Sequence, residues 1–306
     1  MPSSSPQLPE PVVLGLFGPT ATGKSAVAET VARRIPVDLV AADSAQLYRG
    51  LPILTNQSPA ALVGIWELDH EASVAEYQEL AHDTIDAALG AGRTPLVVGG
   101  TGLYFRAALG GLDVPPAPEA GARERWAAFY DAQGGEAAHA LLAERDAEAA
   151  AAVHPNDRRR VVRALELAEA GHSLRGERLW EDASRHPTLV IGLDVPGEEL
   201  GRRIEERTRA MFDAGVEAEV RAALAQPLST TAGKIIGLRE VAELPREEAI
   251  SALAARTRRF AAYQRKWMRR IPGLVSVRAD RSLDEVADEI LALACRGQRV
   301  PAGRAV

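Results

Sequence analysis

Gly18-Pro19-Thr20-Ala21-Thr22-Gly23-Lys24-Ser25 places two glycines, a lysine and a hydroxyl at the spacing of a phosphate-binding loop. Ahead of it, Val12-Val13-Leu14-Gly15-Leu16-Phe17 is a continuous apolar run, as in a buried parallel strand. Behind it, Ser25 to Arg34 sets Ala26, Val27, Ala28, Val31 and Ala32 at helical spacing. A strand, a glycine loop and a helix turn the pattern into a physical site. Glycines let successive backbone N–H groups converge on phosphate oxygens, and the helix N-terminus adds the positive end of its dipole. Lys24 supplies a point charge and Ser25 offers a hydroxyl to Mg²⁺. The ligand implied carries two or more linked phosphates.

Working outward, Val37 to Ala42 reads as the next parallel strand and ends in Asp43-Ser44-Ala45-Gln46-Leu47-Tyr48. In open α/β sheets the functional groups gather at such C-terminal strand ends, so Asp43 is placed to face the phosphate loop. Glu76 to Leu89 has amphipathic helical spacing, and Thr94 to Val98 is a third strand followed by Gly99-Gly100-Thr101. Many phosphate-loop hydrolases end a strand there in a metal-holding aspartate. Asp43 is therefore the acidic group best placed for chemistry, as organiser of a metal, as a base, or as the cap of a short helix over 44–46.

The α/β rhythm breaks at Asp113-Val114-Pro115-Pro116, and the next stretch becomes rich in Ala, Glu and Arg with helical spacing. Residues 115–186 read as a helical insertion into an α/β core made of 11–114 and 187–300. Thr188 to Val195 returns to the sheet, the helix from Glu198 to Ala214 puts Arg203, Arg207 and Met211 on one face, and Ala249 to Arg270 forms a long helix. Residues 1–10 read as a disordered tail.

The chain has 306 residues, of which 46% are hydrophobic and 25% charged, enough for one large or two medium soluble domains. It lacks an apolar run long enough to span a bilayer and the start lacks a secretion signal, so a cytoplasmic address is expected. Cys295, the single cysteine, excludes an internal disulfide and a cysteine-clustered zinc site, and reads as a small core residue. The net charge of −6 argues mildly against a nucleic-acid partner, but its distribution points the other way. Arg256 to Arg270 carries seven positive side chains interleaved with three aromatics and no acid. His154 to Arg163 sets Arg159 and Arg163 one helical turn apart. Both are either phosphate-backbone contacts or cationic faces paired with acids such as Glu166 and Glu169.

Together these pieces resemble the tRNA dimethylallyltransferases, also called tRNA isopentenyltransferases, of bacterial type. The likeness rests on Gly18–Ser25, Asp43–Tyr48, Val98–Tyr104, His154–Asp157 with Arg163–Glu166, Arg203 with Arg207 and Met211, and Thr257–Arg258 with Gln264 and Trp267. It implies a phosphate-loop parallel sheet flanked by helices, with an inserted all-helical tRNA-binding domain. It also implies transfer of a dimethylallyl group from its pyrophosphate to N6 of adenine 37 in tRNAs reading codons that start with U. On this resemblance Asp43 takes the amine proton, Thr101 positions the reacting groups, and Arg207 and the loop hold the pyrophosphate with Mg²⁺ at Ser25. The resemblance also implies that Asp43, Ser44, Ala45, Gln46, Thr101, Arg123, Arg159, Arg160 and Arg163 meet the anticodon stem-loop, and a monomer away from membranes is expected.

The chain departs from the family in three places. Leu51 to Gln57 stands where a Gly-Thr-Ala-Lys-Pro stretch is usual, Leu238 replaces a tyrosine within Ile236–Glu240, and Ala262-Tyr263 replaces two basic residues before Gln264. A nucleoside or shikimate kinase would explain the loop but leaves His154–Asp157 and the basic 256–270 helix without a role. A transferase acting on free adenine nucleotides would not need the insertion, and a non-catalytic switch would not need Asp43, Thr101 and Arg207.

Overall fold

A computed structural model describes residues 12–112, 119, 121–173 and 184–296. The tail expected at 1–10 lies outside these residues. The chain divides into two compact units, Met1–Gly111 with Asp182–Val306, and Leu112–Glu181.

The first unit is built on strands β1 (Val13–Phe17), β2 (Val37–Ala41), β3 (Thr94–Gly99), β4 (Thr188–Asp194) and β5 (Val275–Arg278). All pair in parallel in the order β2-β3-β1-β4-β5. Every residue of β1 is buried, because the sheet is covered on both faces and a central strand has no solvated side. Helices α1 (Lys24–Ala32), α2 (Pro52–Thr55), α3 (Val74–Gly90) and α4 (Gly102–Leu109) precede the insertion. Ser73 caps α3 by accepting the Glu76 N–H at 3.1 Å.

The second unit contains α5 (Ala122–Gln133), α6 (Gly135–Arg145), α7 (Ala147–Ala152) and α8 (Arg158–Glu169). Its own small core joins Ala138, Leu142, Ala149, Val161, Ala164 and Leu165. Asp157 caps α8 through the Arg160 N–H.

After β4 the chain adds α9 (Gly197–Asp213), α10 (Val216–Leu224), α11 (Leu238–Glu243), α12 (Arg246–Met268) and α13 (Leu283–Cys295) to the first unit. The expectation that Cys295 is a core residue is wrong: it is exposed. The buried stripe of α13 runs through Val286, Ala287, Ile290 and Ala294, and Cys295 falls one residue off it.

The consequence for function is positional. Strands β1, β2 and β3 all run toward the same edge, so the turns at 18–23, 42–51 and 100–101 leave the sheet side by side.

Candidate active site

The phosphate loop follows β1 directly. Ala21 and Gly23 take positive φ angles of 64° and 90°, the backbone reversals that turn the chain into α1. Thr22 folds inward and its hydroxyl donates to the Pro19 carbonyl at 2.9 Å. Lys24 Nζ donates to the Gly18 and Pro19 carbonyls, each at 2.8 Å. Burial pulls the Lys24 ammonium down to about 8, Asp43 opposes that shift and Arg207 adds to it. The Ser25 hydroxyl opens α1 and makes no hydrogen bond among the described residues.

Asp43 leaves β2 in a hydrogen-bonded turn, not as the cap of a helix over 44–46. One carboxylate oxygen accepts the Ala45 N–H at 3.2 Å, and the main chain of Gln46 returns to the Asp43 carbonyl at 3.0 Å. Tyr77 fixes the strand end just before it, donating its hydroxyl to the Ala41 carbonyl at 2.8 Å. Burial pushes that phenol up, so it stays neutral. Thr101, at the end of β3, accepts the Ser44 N–H at 3.3 Å, which ties the second turn to the third.

These groups open on one cavity of about 820 Å³. Its polar wall includes Lys24, Ser25, Asp43, Thr101 and Arg207, while Leu54, Ile204, Met211, Leu253 and Phe260 supply apolar surface. Arg207 Nη1 donates to the Thr20 hydroxyl, and its Nε is buried without a partner. Burial also lowers the proton affinity of this guanidinium, with Asp43 offsetting part of the effect. Two cations held in a partly apolar cavity, one with an unused donor, form a receptor for a multivalent anion.

Of the residues expected from sequence, Thr20, Ala21, Gly23, Lys24, Ser25, Asp43, Ser44, Ala45, Gln46, Thr101 and Arg207 line this cavity. Gly18, Pro19 and Thr22 sit behind the loop, supporting it. The Leu51–Gln57 departure forms α2 and another part of the wall: Gln46 Nε2 donates to the Thr55 and Asn56 carbonyls, and Gln57 Nε2 donates to the Gln46 and Tyr48 carbonyls. Lys234, on a short 3-10 turn at Ala232–Lys234, also lines the cavity. Sequence reasoning missed it because it stands in a polar loop with no motif.

The arginines divide by partner. In the helical unit, Arg123 and Arg163 both pair with the buried carboxylate of Glu166, at 3.0 and 3.1 Å. Arg159 and Arg160 are exposed with no acidic partner among the described residues. On α12, Arg256, Arg258 and Arg265 pair with Glu240, Glu205 and Asp194, leaving Arg259 and Lys266 on the helix and Arg269 and Arg270 just past its end as exposed cations. The aromatic residues of that helix do not form a uniform stacking stripe: Phe260 faces the cavity, Trp267 packs against Gly102, and only Tyr263 is exposed.

The family model for IPP transferase matches residues 46–271. The chain belongs to the IPP transferase family. Within it, the tRNA dimethylallyltransferase of Streptomyces coelicolor is 41% identical over 285 residues, covering 88% of this chain and 90% of that protein. The one from Thermobifida fusca is 39% identical, with 92% and 94% covered. Among solved structures, the full-length tRNA isopentenylpyrophosphate transferase of Bacillus halodurans has a TM-score of 0.68 at 29% identity, covering 94% of this chain and 98% of its own. A eukaryotic dimethylallyltransferase acting on tRNA, 21% identical, shares the fold with a TM-score of 0.74. The parallel five-stranded sheet with flanking helices described above is thus the fold these structures share.

Proposed function

We propose that this chain transfers a dimethylallyl group from dimethylallyl pyrophosphate to N6 of adenine 37, beside the anticodon, in tRNAs reading codons that begin with U. The observation that carries the proposal is the pairing, in one cavity, of a carboxylate with a two-cation cradle whose Arg207 Nε is buried and unpaired. A cavity of this kind suits a donor with an anionic head and an apolar tail. The head lies against the loop N–H groups, Lys24 and Arg207, and the five-carbon tail against side chains such as Met211, Leu253 and Phe260.

In the reaction the C1–O bond of the donor breaks and pyrophosphate leaves with the electron pair. The N6–C1 bond forms, and the proton lost from N6 passes to the Asp43 carboxylate. Charge grows on the leaving oxygen, so fixed cations there bind the transition state more tightly than the ground state. An exocyclic adenine amine is a poor nucleophile, which makes orientation by Thr101 and the Asp43 turn the second contribution.

Mg²⁺ fits this site on one side only. Ser25 offers a free hydroxyl, and among the described residues no group of three or more His, Cys, Asp or Glu could hold a metal. A magnesium ion would therefore be held by Ser25 together with the donor's own phosphate oxygens and water. When bound it would neutralise part of the pyrophosphate charge.

For the tRNA, the exposed Arg159 and Arg160 supply phosphate contacts, while Arg123 and Arg163 shape the same helical unit through Glu166. Ser44, Ala45 and Gln46 are placed on the cavity wall to meet the flipped-out base. No helix among the described residues is long and apolar enough to cross a membrane.

The test is incorporation of label from dimethylallyl pyrophosphate into unmodified tRNA with Mg²⁺, with free AMP as competing acceptor and labelled ATP as alternative donor. Label on tRNA alone supports the proposal. Label on AMP, or phosphate transfer without prenylation, contradicts it.

A further inference from the structure

Helix α12 carries one polar side chain that its basic composition hides. Gln264 is 1% exposed, and both ends of its amide are used. Its Oε1 accepts the Thr20 N–H at 2.9 Å and its Nε2 donates to the Gly100 carbonyl at 2.9 Å. The partners fix the orientation of the amide, because a backbone N–H only donates and a carbonyl only accepts.

The two bonds lead to different parts of the site. Thr20 belongs to the phosphate loop, and its hydroxyl receives Arg207. Gly100 precedes Thr101, which holds the Asp43 turn through Ser44. A Cβ at Gly100 would lie 2.3 Å from Gln264 Nε2 and 3.0 Å from the Gly18 carbonyl, so loop, turn and amide are in direct contact. One helical turn further, Trp267 packs so closely on Gly102 that a Cβ there would lie 2.2 Å from its ring. Helix α12 therefore braces both flanks of Thr101.

We propose that Gln264 is a positioning residue that ties the phosphate loop to the Gly100–Thr101 turn and so sets the spacing between the pyrophosphate cradle and the groups that receive the acceptor amine. This rests on the transferase reading above. Gln264 touches no substrate in this scheme; it acts through Thr20 and Gly100. A buried amide whose donor and acceptor are both satisfied is a rigid link, and one whose donor is lost leaves an unpaired carbonyl in the core.

The test compares Gln264→Glu and Gln264→Leu with the natural chain in single-turnover transfer from dimethylallyl pyrophosphate, alongside tRNA binding and thermal melts. The glutamate keeps the acceptor for Thr20, but as a carboxylate it cannot donate to Gly100. Its buried acid form can, and burial raises its pKa. At pH 8 transfer by Gln264→Glu should fall about 100-fold with tRNA affinity held within about twofold, the scale of a roughly 1 Å misplacement. Relative to the natural chain, at least about tenfold should return as the pH drops to about 6. Gln264→Leu should lose transfer at every pH.

Natural-like transfer by Gln264→Leu, or a Gln264→Glu loss that does not recover at low pH, would overturn the proposal. If neither variant folds, amide exchange in the natural chain decides: slow exchange at Thr20 supports the link, and exchange as fast as in an open loop refutes it. A natural chain that transfers nothing to tRNA would instead sink the transferase reading itself, and the two failures are distinguishable.

Discussion

Arg207, from α9, donates through Nη1 to the hydroxyl of Thr20 in the phosphate loop and leaves its Nε buried with no partner. The bond ties the guanidinium to the loop and leaves one buried donor unused. Replacing Arg207 by alanine should lower kcat/KM for the pyrophosphate donor about 10²- to 10³-fold, the cost of losing one transition-state donor. Inhibition by inorganic pyrophosphate should weaken in parallel while tRNA affinity holds. Steady-state kinetics with pyrophosphate as inhibitor checks this, and unchanged inhibition would remove Arg207 from the cradle.

Lys24 gives the donor step a pH dependence. Its ammonium is lowered by burial to about 8 in the free protein, so it is charged below that value and neutral above it. Donor kcat/KM should be level below pH 8 and fall about tenfold per unit above it. The bound anion raises the affinity of Lys24 for its proton, so donor binding near pH 8 should take up protons, measurable by calorimetry in buffers of different ionisation enthalpy. A profile flat to pH 9.5 contradicts this.

Gly99 and Gly201 should respond oppositely to alanine. A Cβ at Gly99 would lie 2.1 Å from the Ala42 carbonyl oxygen, where β2 and β3 meet backbone to backbone. Gly99→Ala should cost about 3 kcal/mol by overpacking. Gly201 stands within α9 with nothing near its would-be Cβ, so Gly201→Ala should gain about 0.5–1 kcal/mol from helix propensity. Urea unfolding midpoints test both.

The two kinds of arginine in the helical unit should separate cleanly. Replacing the exposed Arg159 and Arg160 together should reduce the log–log salt slope of tRNA binding by about two, near one per phosphate contact. Removing Arg123 leaves buried Glu166 paired with Arg163 alone of these two arginines. That change should destabilise the fold by about 1–3 kcal/mol. Salt titrations of binding and thermal melts distinguish them, and an unchanged slope for the double variant would make Arg159 and Arg160 bystanders.

Much of this site is legible in the sequence. The strand, loop and helix around Gly18–Ser25 are local, and buried parallel strands announce themselves as apolar runs, so Asp43 and Thr101 could be placed at strand ends. The sheet order could not be read, since it depends on which crossover each helix makes. How much of the basic 256–270 stretch is paired could not be read, because the acids that meet Arg256, Arg258 and Arg265, namely Glu240, Glu205 and Asp194, lie on other elements. Gln264 had a signal that went unused: it continues the buried face through Ile250, Leu253, Ala254 and Ala261, where a polar residue must have partners.

In the proposed reaction Asp43 receives the proton from an acceptor amine held against the pyrophosphate cradle. Asp43→Asn preserves shape and removes the base, so single-turnover transfer on pre-bound tRNA is the direct measurement. Transfer should fall about 10²- to 10⁴-fold with the affinities for tRNA and donor held within about twofold. Transfer at the natural rate would contradict it.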